Sequence, residues 1–442
     1  MSIQLSDHFT YKRLLRFTLP SVIMMVFTSI YGVVDGFFVS NFAGKTPFTA
    51  INFIWPFIMI LGAIGFMFGT GGSALVSKTM GEGDFSKANR VFSLLVYVSI
   101  GTGAAFAILG LLVLRPVAVA LGAEGEMLNQ CLIYGTILLA ALPTYVLQME
   151  FQSFFVTAER PTLGLLFTVA SGVTNIILDI LFIGVFRWGI AGAALATVAS
   201  QIIGGVGSLF YFFAKNKSAL HLTRTRFDGK SVFLACTNGS SELMSNISMS
   251  LVGMLYNAQL MRYAGEDGVA AYGVLMYVGF VFLAIFIGYS VGVAPVVGYH
   301  YGAKNHTELK NLLKKSLILI TITSVVMFVL SEALSTPLSY MFVGYDENLL
   351  QMTKECFYVY SFAFLFAGIS IYGSSFFTAL NNGPVSALIS FLRTLVFQIV
   401  AVLLFPLIWG LNGIWFSVVA SDFMALVVTV ILLFALKKKY HY

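Results

Sequence analysis

The stretch 188–200, WGIAGAALATVAS, returns 221 positions later at 409–421 as WGLNGIWFSVVAS. The same offset aligns identical residues elsewhere in the two halves: Gly71 with Gly292, Gly81 with Gly302, Phe155 with Phe376, and Thr157-Ala158 with Thr378-Ala379. Because these matches extend from one end of each half to the other, they indicate an internal duplication. Duplication in a very apolar chain is typical of many secondary transporters, which move one half against the other around a shared cavity.

The composition predicts a membrane protein. Apolar residues make up 58% of the chain, charged residues make up 10%, and the mean hydropathy is +0.90. A soluble domain carries about 25% charged residues. The apolar runs are long enough to cross a bilayer as helices, whereas barrel strands would alternate over about ten residues. The predicted helices are 14–40, 48–77, 91–114, 129–156, 163–186, 189–214, 232–258, 269–298, 315–341, 352–380, 385–408 and 411–436.

Twelve spans predict an all-α membrane protein with six helices in each half. Because six is an even number, the second half starts on the same side as the first, and the halves are expected to be parallel repeats. We expect an N-lobe at 1–214 with helices 1–6, a polar cytoplasmic linker at 215–231, and a C-lobe at 232–442 with helices 7–12. With the N-terminus inside, the inner segments carry 19 Lys and Arg and the outer loops carry 5. The positive-inside rule therefore places both termini in the cytoplasm.

The sequence argues against several other classes of protein. A basic inner face accounts for the net charge of +6, so no nucleic-acid partner is expected. The five histidines fall outside the spans or at their edges, and no nucleophile motif, paired metal ligands or GxxxxGK[ST] loop occurs in the sequence. We therefore expect neither an enzyme nor an ATP-driven pump, and no cofactor. The three cysteines have no CxxC spacing and are interpreted as packing residues.

Four polar residues in the predicted membrane region fall at one depth. Asp35 lies near the outer end of the first span, Asn175 and Asp179 share one face of the fifth span, and Thr197 is about two turns into the sixth. A shared depth in the outer half favours a single site. Burial disfavours the charged form of a carboxyl group, so such a site suits a proton or a hard cation such as Na⁺. An acid reaching interfacial water at Asp35 and a helix-packing hydrogen bond at Asn175 and Asp179 are the alternatives.

Other polar residues in the spans allow more than one interpretation. Glu242 aligns with Ser21 of the first half, so the repeats have diverged there, and a helix cap or an interfacial acid is the alternative. Gln152, like Glu150, lies near the inner end of the fourth span, where water could reach it. Glu242 and Gln152 are candidates for a second site or for substrate contact. Arg393 and Asp422 fall in neighbouring spans and are placed to pair.

At these residues the chain resembles the multidrug and toxic compound extrusion (MATE) family, prokaryotic type, over nearly its whole length. The segment VVDGFFVS at 33–40 is similar to the family's aspartate-bearing first helix, and GEGDFSKA at 81–88 is similar to the loop after helix 2. NIILDILFI at 175–183 resembles the helix 5 signature, and GIAGAALATVAS at 189–200 resembles helix 6. The four motifs together are specific, whereas any one alone would be weak.

The resemblance implies a V-shaped bundle of two lobes in the plasma (inner) membrane of a prokaryote, acting as a monomer among lipid. It implies export of cationic or amphipathic organic compounds in exchange for H⁺ or Na⁺. It places the cation site, for H⁺ or Na⁺, in the N-lobe at Asp35, Asn175, Asp179 and Thr197. Some members add a glutamate on helix 7, which could be Glu242, and an aspartate on helix 10, but 372–378 contains no acid. The N-lobe is therefore the favoured coupling centre.

A flippase of lipid-linked precursors from the wider superfamily is the alternative function. Such proteins tend to carry several cationic residues in a central cavity. Here Arg393 is the one intramembrane basic residue against five acids, which favours cationic substrates.

Overall fold

The computed structural model describes residues 3–43, 45–344 and 346–442, and the regular structure of these residues is helical throughout. In the described residues nine helices are long and apolar enough to cross a membrane, and the two bent helix pairs bring the number to eleven. The longest of these helices, Gly229–Gly302, is broken at Gly265 and counts as two, which gives the twelve spans predicted from the sequence. They are α1 (Tyr11–Phe38), α2 (Thr46–Gly81), α3 (Phe85–Ala120), α4 (Gly125–Ala140 and Leu142–Thr157), α5 (Pro161–Val185), α6 (Gly189–Phe213), α7 and α8 (together Gly229–Gly302), α9 (His306–Val343), α10 (Glu347–Tyr360 and Ala363–Ala379), α11 (Gly383–Trp409) and α12 (Leu411–Tyr440).

Polar caps and local backbone geometry set where the helices begin and end. The side chains of Thr10, Asp84, Asn305 and Asp346 each accept a backbone N–H bond at the start of α1, α3, α9 and α10. Gly265, with φ 64° and ψ −150°, separates α7 (229–264) from α8 (266–302). Only glycine adopts this conformation readily, so the residue type fixes the break.

The two halves share their irregularities as well as their helices. The two parts of α4 meet at 58° and the two parts of α10 meet at 49°, at corresponding points of the repeat. Gly189 and Gly410, which align in the sequence, both have φ of 57°; Gly189 is the first residue of α6 and Gly410 directly precedes α12. Helices α1–α6 form the N-lobe, and α7–α12 form the C-lobe. An irregular segment, 214–228, joins the two.

The two lobes form a V and meet near the face of the bundle at which both termini lie, here called the termini face. A Cβ atom at Gly81, the end of α2, would lie 1.9 Å from the carbonyl oxygen of Tyr299 on α8. A Cβ atom at Gly302, the end of α8, would lie 2.0 Å from the carbonyl oxygen of Lys78 on α2. Lys78 and Tyr299 also align in the repeat. The same backbone contact is thus made twice, and it holds the termini face closed.

The residues before α1 add a second contact between the lobes at this face. Leu5 donates its backbone N–H to Glu159 Oε1 of the N-lobe at 2.8 Å, and Phe9 donates its own to Glu308 Oε1 of the C-lobe at 2.9 Å. His8 Nδ1 lies 2.6 Å from the other Glu308 oxygen. Leu5 and Phe9 are completely buried. The N-terminal segment, residues 3–10, therefore bridges the two lobes.

Candidate cation site in the N-lobe

Two aspartates stand beside irregular turns of their helices. Asp35 is one turn before the π-helical segment Val39–Ala43, which continues α1. Asp179 is the last α-helical residue of α5 before the π-helical segment Ile180–Val185. A π-helical turn is wider than an α-helical one and leaves some backbone groups without regular partners, and such turns are frequent at functional sites. Both acids are therefore positioned by unusual local geometry.

The packing of α1 against α5, and of α5 against α6, brings the predicted residues together. The carboxyl groups of Asp35 and Asp179 lie beside each other. Tyr134 on α4 lies within electrostatic range of both carboxyl groups, and its hydroxyl interacts with the hydroxyl of Thr197 on α6. Asn175 lies one turn before Asp179 on the same face of α5. The shared depth expected from the sequence corresponds to one cluster in space.

Apart from the contact between the two carboxyl groups, the carboxyl and amide oxygens of this cluster lack hydrogen-bond donors. Asp179 is fully buried and Asn175 is 2% exposed. Asp35 Oδ1, Asn175 Oδ1 and both carboxyl oxygens of Asp179 are buried without a hydrogen-bond donor. Among the ion pairs of the described residues, none involves either aspartate. A charged carboxyl group at membrane depth costs about 2.5–3.5 kcal/mol even where it relaxes, so two unpaired ones side by side require a proton or a cation.

The arrangement can bind either ion. A proton would be shared between two carboxyl groups that resist ionising together. Na⁺, a hard cation, would take the carboxyl oxygens together with the amide oxygen of Asn175 and a hydroxyl oxygen of Thr197 or Tyr134. The geometry of the cluster suits both ions.

Sequence reasoning missed two aromatic residues of this site. Tyr134, 1% exposed, contacts the cluster from α4, and Tyr31 approaches Asp35 from one turn earlier on α1. Both are tyrosines within apolar spans, where a hydroxyl group needs a polar neighbour. This requirement could have pointed to Tyr31 and Tyr134 in the sequence, but the chain has 20 tyrosines, and the requirement does not distinguish these two from the others.

A second layer of hydrogen bonds supports the site from the side of the termini face. Gln148 of α4 donates to Ser171 Oγ of α5 at 3.0 Å, and Ser171 donates to the carbonyl oxygen of Ser200 of α6 at 2.7 Å. Ser200 in turn donates to the carbonyl oxygen of Thr197 at 2.8 Å. These bonds fix α4, α5 and α6 relative to one another within two turns of the aspartates, so the cluster is held by a rigid frame.

Glu242 and Gln152 lie apart from this cluster. Glu242, partly exposed on α7, lines a cavity of about 40 Å³ between the lobes, together with Thr70, Ser153 and Ser375. Gln152 is 4% exposed, and its Nε2 has no hydrogen-bond partner. Gln152 does not line the cavity beside Glu242. The adjacent Ser153 does, and consecutive residues of a helix point about 100° apart, so the Gln152 side chain points elsewhere. The cavity has room for a few water molecules and not for an organic compound.

Two charged residues within the C-lobe spans pair with each other. Arg393 Nε donates to Asp422 Oδ1 at 2.8 Å, as the neighbouring spans suggested. Glu242 lies within electrostatic range of Arg393. The residue aligned with Asp35 is Tyr256, whose hydroxyl donates to Gln398 at 2.6 Å, and the residue aligned with Asp179 is Val400. The pair of neighbouring aspartates is therefore a feature of the N-lobe alone.

Glu150 differs from the sequence interpretation. The prediction that it reaches water is wrong: its side chain is completely buried in α4, and it accepts a hydrogen bond from Ser99 of α3. The reason is the bend of α4 and the close approach of Gly69 on α2, which together enclose this part of α4.

Comparison with known proteins identifies the family. The MatE family profile matches residues 20–181 and 243–404, once in each half. The chain belongs to the MatE family. Multidrug export protein MepA of Staphylococcus haemolyticus is 24% identical over 434 residues, covering 97% of this chain and 94% of that protein. MepA of Staphylococcus saprophyticus is 23% identical over 440 residues, with the same coverage.

Solved MATE structures share the fold. A structure described as the outward-facing conformation of a multidrug resistance MATE family transporter of the MOP superfamily matches this MatE chain with a TM-score of 0.92. The identity is 22%, and the match covers 99% of both chains. These findings confirm the predicted family, the helical two-repeat fold, and a multi-pass membrane transporter rather than an enzyme.

Proposed function

We propose that this MatE protein is a secondary antiporter that exports cationic or amphipathic organic compounds in exchange for H⁺ or Na⁺, with Asp35, Asn175, Asp179 and Thr197 as the coupling site. The supporting observation is the pair of neighbouring carboxyl groups whose buried oxygens have no donor and no basic partner among the described ion pairs. Such a pair is stable only when an ion occupies it, so its occupancy can follow an ion gradient.

The exchange follows from the charge of the site. The empty pair carries negative charge and attracts a cationic compound into the space between the lobes. Entry of H⁺ or Na⁺ reduces that charge, weakens the hold on the compound, and lets α1 pack closely against α5 and α6, because a neutral site packs at lower cost than a charged one. The ion and the compound thus favour different states of the same lobe, which is what alternating access requires.

The direction of transport rests on the orientation of the bundle. The excess of Lys and Arg in segments on the side of the termini favours a cytoplasmic termini face. In the described conformation this face is closed by the Gly81 and Gly302 contacts, so the cleft of the V faces outward. The names of the relatives, multidrug export proteins, agree with an export direction in a bacterial plasma membrane.

Export of cations is favoured over flipping of lipid-linked precursors. A site for a lipid-linked phosphate needs several free basic groups. Arg393 lies near the middle of α11, away from the helix ends where the other basic residues of the spans lie, and its charge is already matched by Asp422. The acids Asp35, Asp179 and Glu242 have no basic partner among the described ion pairs. The balance of intramembrane charge therefore suits a positive substrate.

Transport in proteoliposomes tests the proposal, with the pH gradient and the Na⁺ gradient imposed separately and ethidium as the substrate. We expect one gradient to drive movement of the dye in the wild type, and Asp179→Asn to reduce that rate at least tenfold. Asp267→Asn, a change at an exposed aspartate outside the cluster, is the matched control and keeps the wild-type rate. Gradient-driven transport at the wild-type rate by a well-folded Asp179→Asn protein would disprove the coupling role.

A second variant separates the two ions. Asn175 offers Na⁺ an amide oxygen but carries no titratable proton. Asn175→Leu should therefore abolish coupling to Na⁺ and leave most of the coupling to H⁺. The same experiment then reports which ion the site uses.

A further inference from the structure

A groove of about 700 Å³ lies in the C-lobe, at the face opposite the termini face. It is bordered by the first part of α10, the end of α11 and the start of α12, it is open to the outside, and all three borders are helix ends at that face. The volume is in the range of about 300–1,000 Å³ found for sites that hold drug-sized molecules. The groove is far larger than the 40 Å³ cavity beside Glu242.

The lining combines aromatic rings with one acid. Trp409 and Phe416 are 53% and 43% exposed, and Trp415 is buried beneath them. Among the described residues that line the groove, Glu355 is the one charged residue, and none is a Lys, Arg or His. Its Oε1 accepts a hydrogen bond from Gln351 at 3.1 Å, and none of the ion pairs in the described chain includes it. A negative charge among ring faces attracts a cation through both charge and the ring quadrupoles.

The groove is not a by-product of the repeat. At the aligned positions of the N-lobe, Tyr134 stands where Glu355 is, and Ala194 stands where Trp415 is. Both are buried in a packed core between α4 and α6. The place of Glu355 and Trp415 is thus filled by packed side chains in the N-lobe, whereas Trp409 aligns with Trp188, which is also exposed. The acid is therefore the feature that distinguishes the C-lobe groove.

We propose that this groove is a second binding site, specific for a flat aromatic organic cation, distinct from the cation cluster of the N-lobe. The rings of Trp409 and Phe416 would cover the flat part of the ligand, and the Glu355 carboxylate would face its charge. The class of ligand rests on the proposed function, since an exporter of organic cations would release them at this face. The site itself rests on the charge and the shape of the groove.

Binding of ethidium to the purified full-length protein in nanodiscs tests the proposal, followed by energy transfer from tryptophan to the dye. Two of the four tryptophans, Trp409 and Trp415, line the groove. We expect Glu355→Gln to weaken binding at this site about tenfold, and Trp409→Leu to reduce the energy transfer. Glu347→Gln, at an exposed glutamate two turns earlier on α10 and outside the groove, is the matched control and should leave both unchanged.

Two further measurements complete the test. Asp35→Asn should leave ethidium binding to the groove unchanged while it alters the ion dependence of transport. Dye binding therefore reports on the groove, transport reports on the antiport mechanism, and the failure of one proposal can be told from the failure of the other. An uncharged aromatic compound of the same size should bind the groove at least tenfold more weakly than ethidium. Equal ethidium binding by Glu355→Gln and Glu347→Gln would overturn the proposal. So would displacement of ethidium from the groove by added phospholipid, which would make lipid its occupant.

Discussion

Substitution of Gly81 by alanine should open the termini face. The added Cβ would lie 1.9 Å from the Tyr299 carbonyl oxygen, whereas real Cβ atoms essentially never come closer than 3.0 Å to another heavy atom. The ends of α2 and α8 would have to separate by more than 1 Å, because the obstacle is backbone and cannot rotate away. Overpacking of this kind costs about 1–3 kcal/mol. The cost applies only while the termini face is closed.

The expected shift in population follows from that cost. A penalty of about 1–3 kcal/mol on one of two states changes their ratio about 5–150-fold, in favour of the state with an open termini face. Alanine favours helix over glycine by about 1 kcal/mol, and this gain is equal in both states, so it supports folding without changing their ratio. Gly302→Ala makes the same contact from the opposite side, at 2.0 Å from the Lys78 carbonyl oxygen, and should act in the same direction.

Distances between spin labels across the termini face measure this shift. Cysteines for labelling can replace the exposed Lys87 on α3 and Lys310 on α9, on a background without the native cysteines. We expect Gly81→Ala to move the distribution toward longer distances. Gly101→Ala, where a Cβ would meet nothing within 4 Å, is the matched control. Identical distributions for Gly81→Ala and Gly101→Ala would refute the reasoning that this contact holds the face closed.

Two other predictions concern polar contacts outside the cation site. Arg393→Ala leaves the Asp422 carboxylate, 6% exposed, without its partner, and should lower the free energy of unfolding by about 3–5 kcal/mol in denaturant titrations. Removing both side chains together should restore most of that stability. Additive losses from the two single changes would contradict the pairing. Glu308→Gln removes the charge that the Phe9 N–H bonds to, worth about 1.5–3 kcal/mol, so hydrogen exchange of the residue 3–10 amides should speed up at least tenfold. Unchanged exchange, equal to that of Glu347→Gln, would show that this bond does not hold the segment.

Much of the fold was predictable because it depends on features that a sequence displays directly. Span number and the repeat follow from long apolar runs and from the 221-residue offset, and both are confirmed. The sequence predicted a gap between the spans 232–258 and 269–298, but not that a single residue would separate the two helices. That depends on the backbone conformation of Gly265. The closed termini face was not predictable, because Gly81 and Tyr299 meet through tertiary packing.

The cation cluster was predictable in part for a similar reason. Asp35, Asn175 and Asp179 stand out because acids and amides are costly in apolar helices, and topology then assigns them a depth. Tyr134 was missed because a tyrosine in a membrane helix is common and its role depends on which helix it faces. Glu150 was misplaced because the bend of α4, not the sequence around it, determines its burial.

Equilibrium binding of a cationic dye to the purified protein, at varied pH and Na⁺ concentration, tests most directly whether the N-lobe cluster couples ion and substrate. The account predicts competition: lowering the pH, or adding Na⁺ if that is the ion, weakens dye binding in the wild type. It predicts that Asp35→Asn removes this competition and that Glu242→Gln leaves more of it intact. Independent binding of dye and ion in the wild type, or loss of competition in Glu242→Gln alone, would contradict the account and move the coupling centre to the C-lobe.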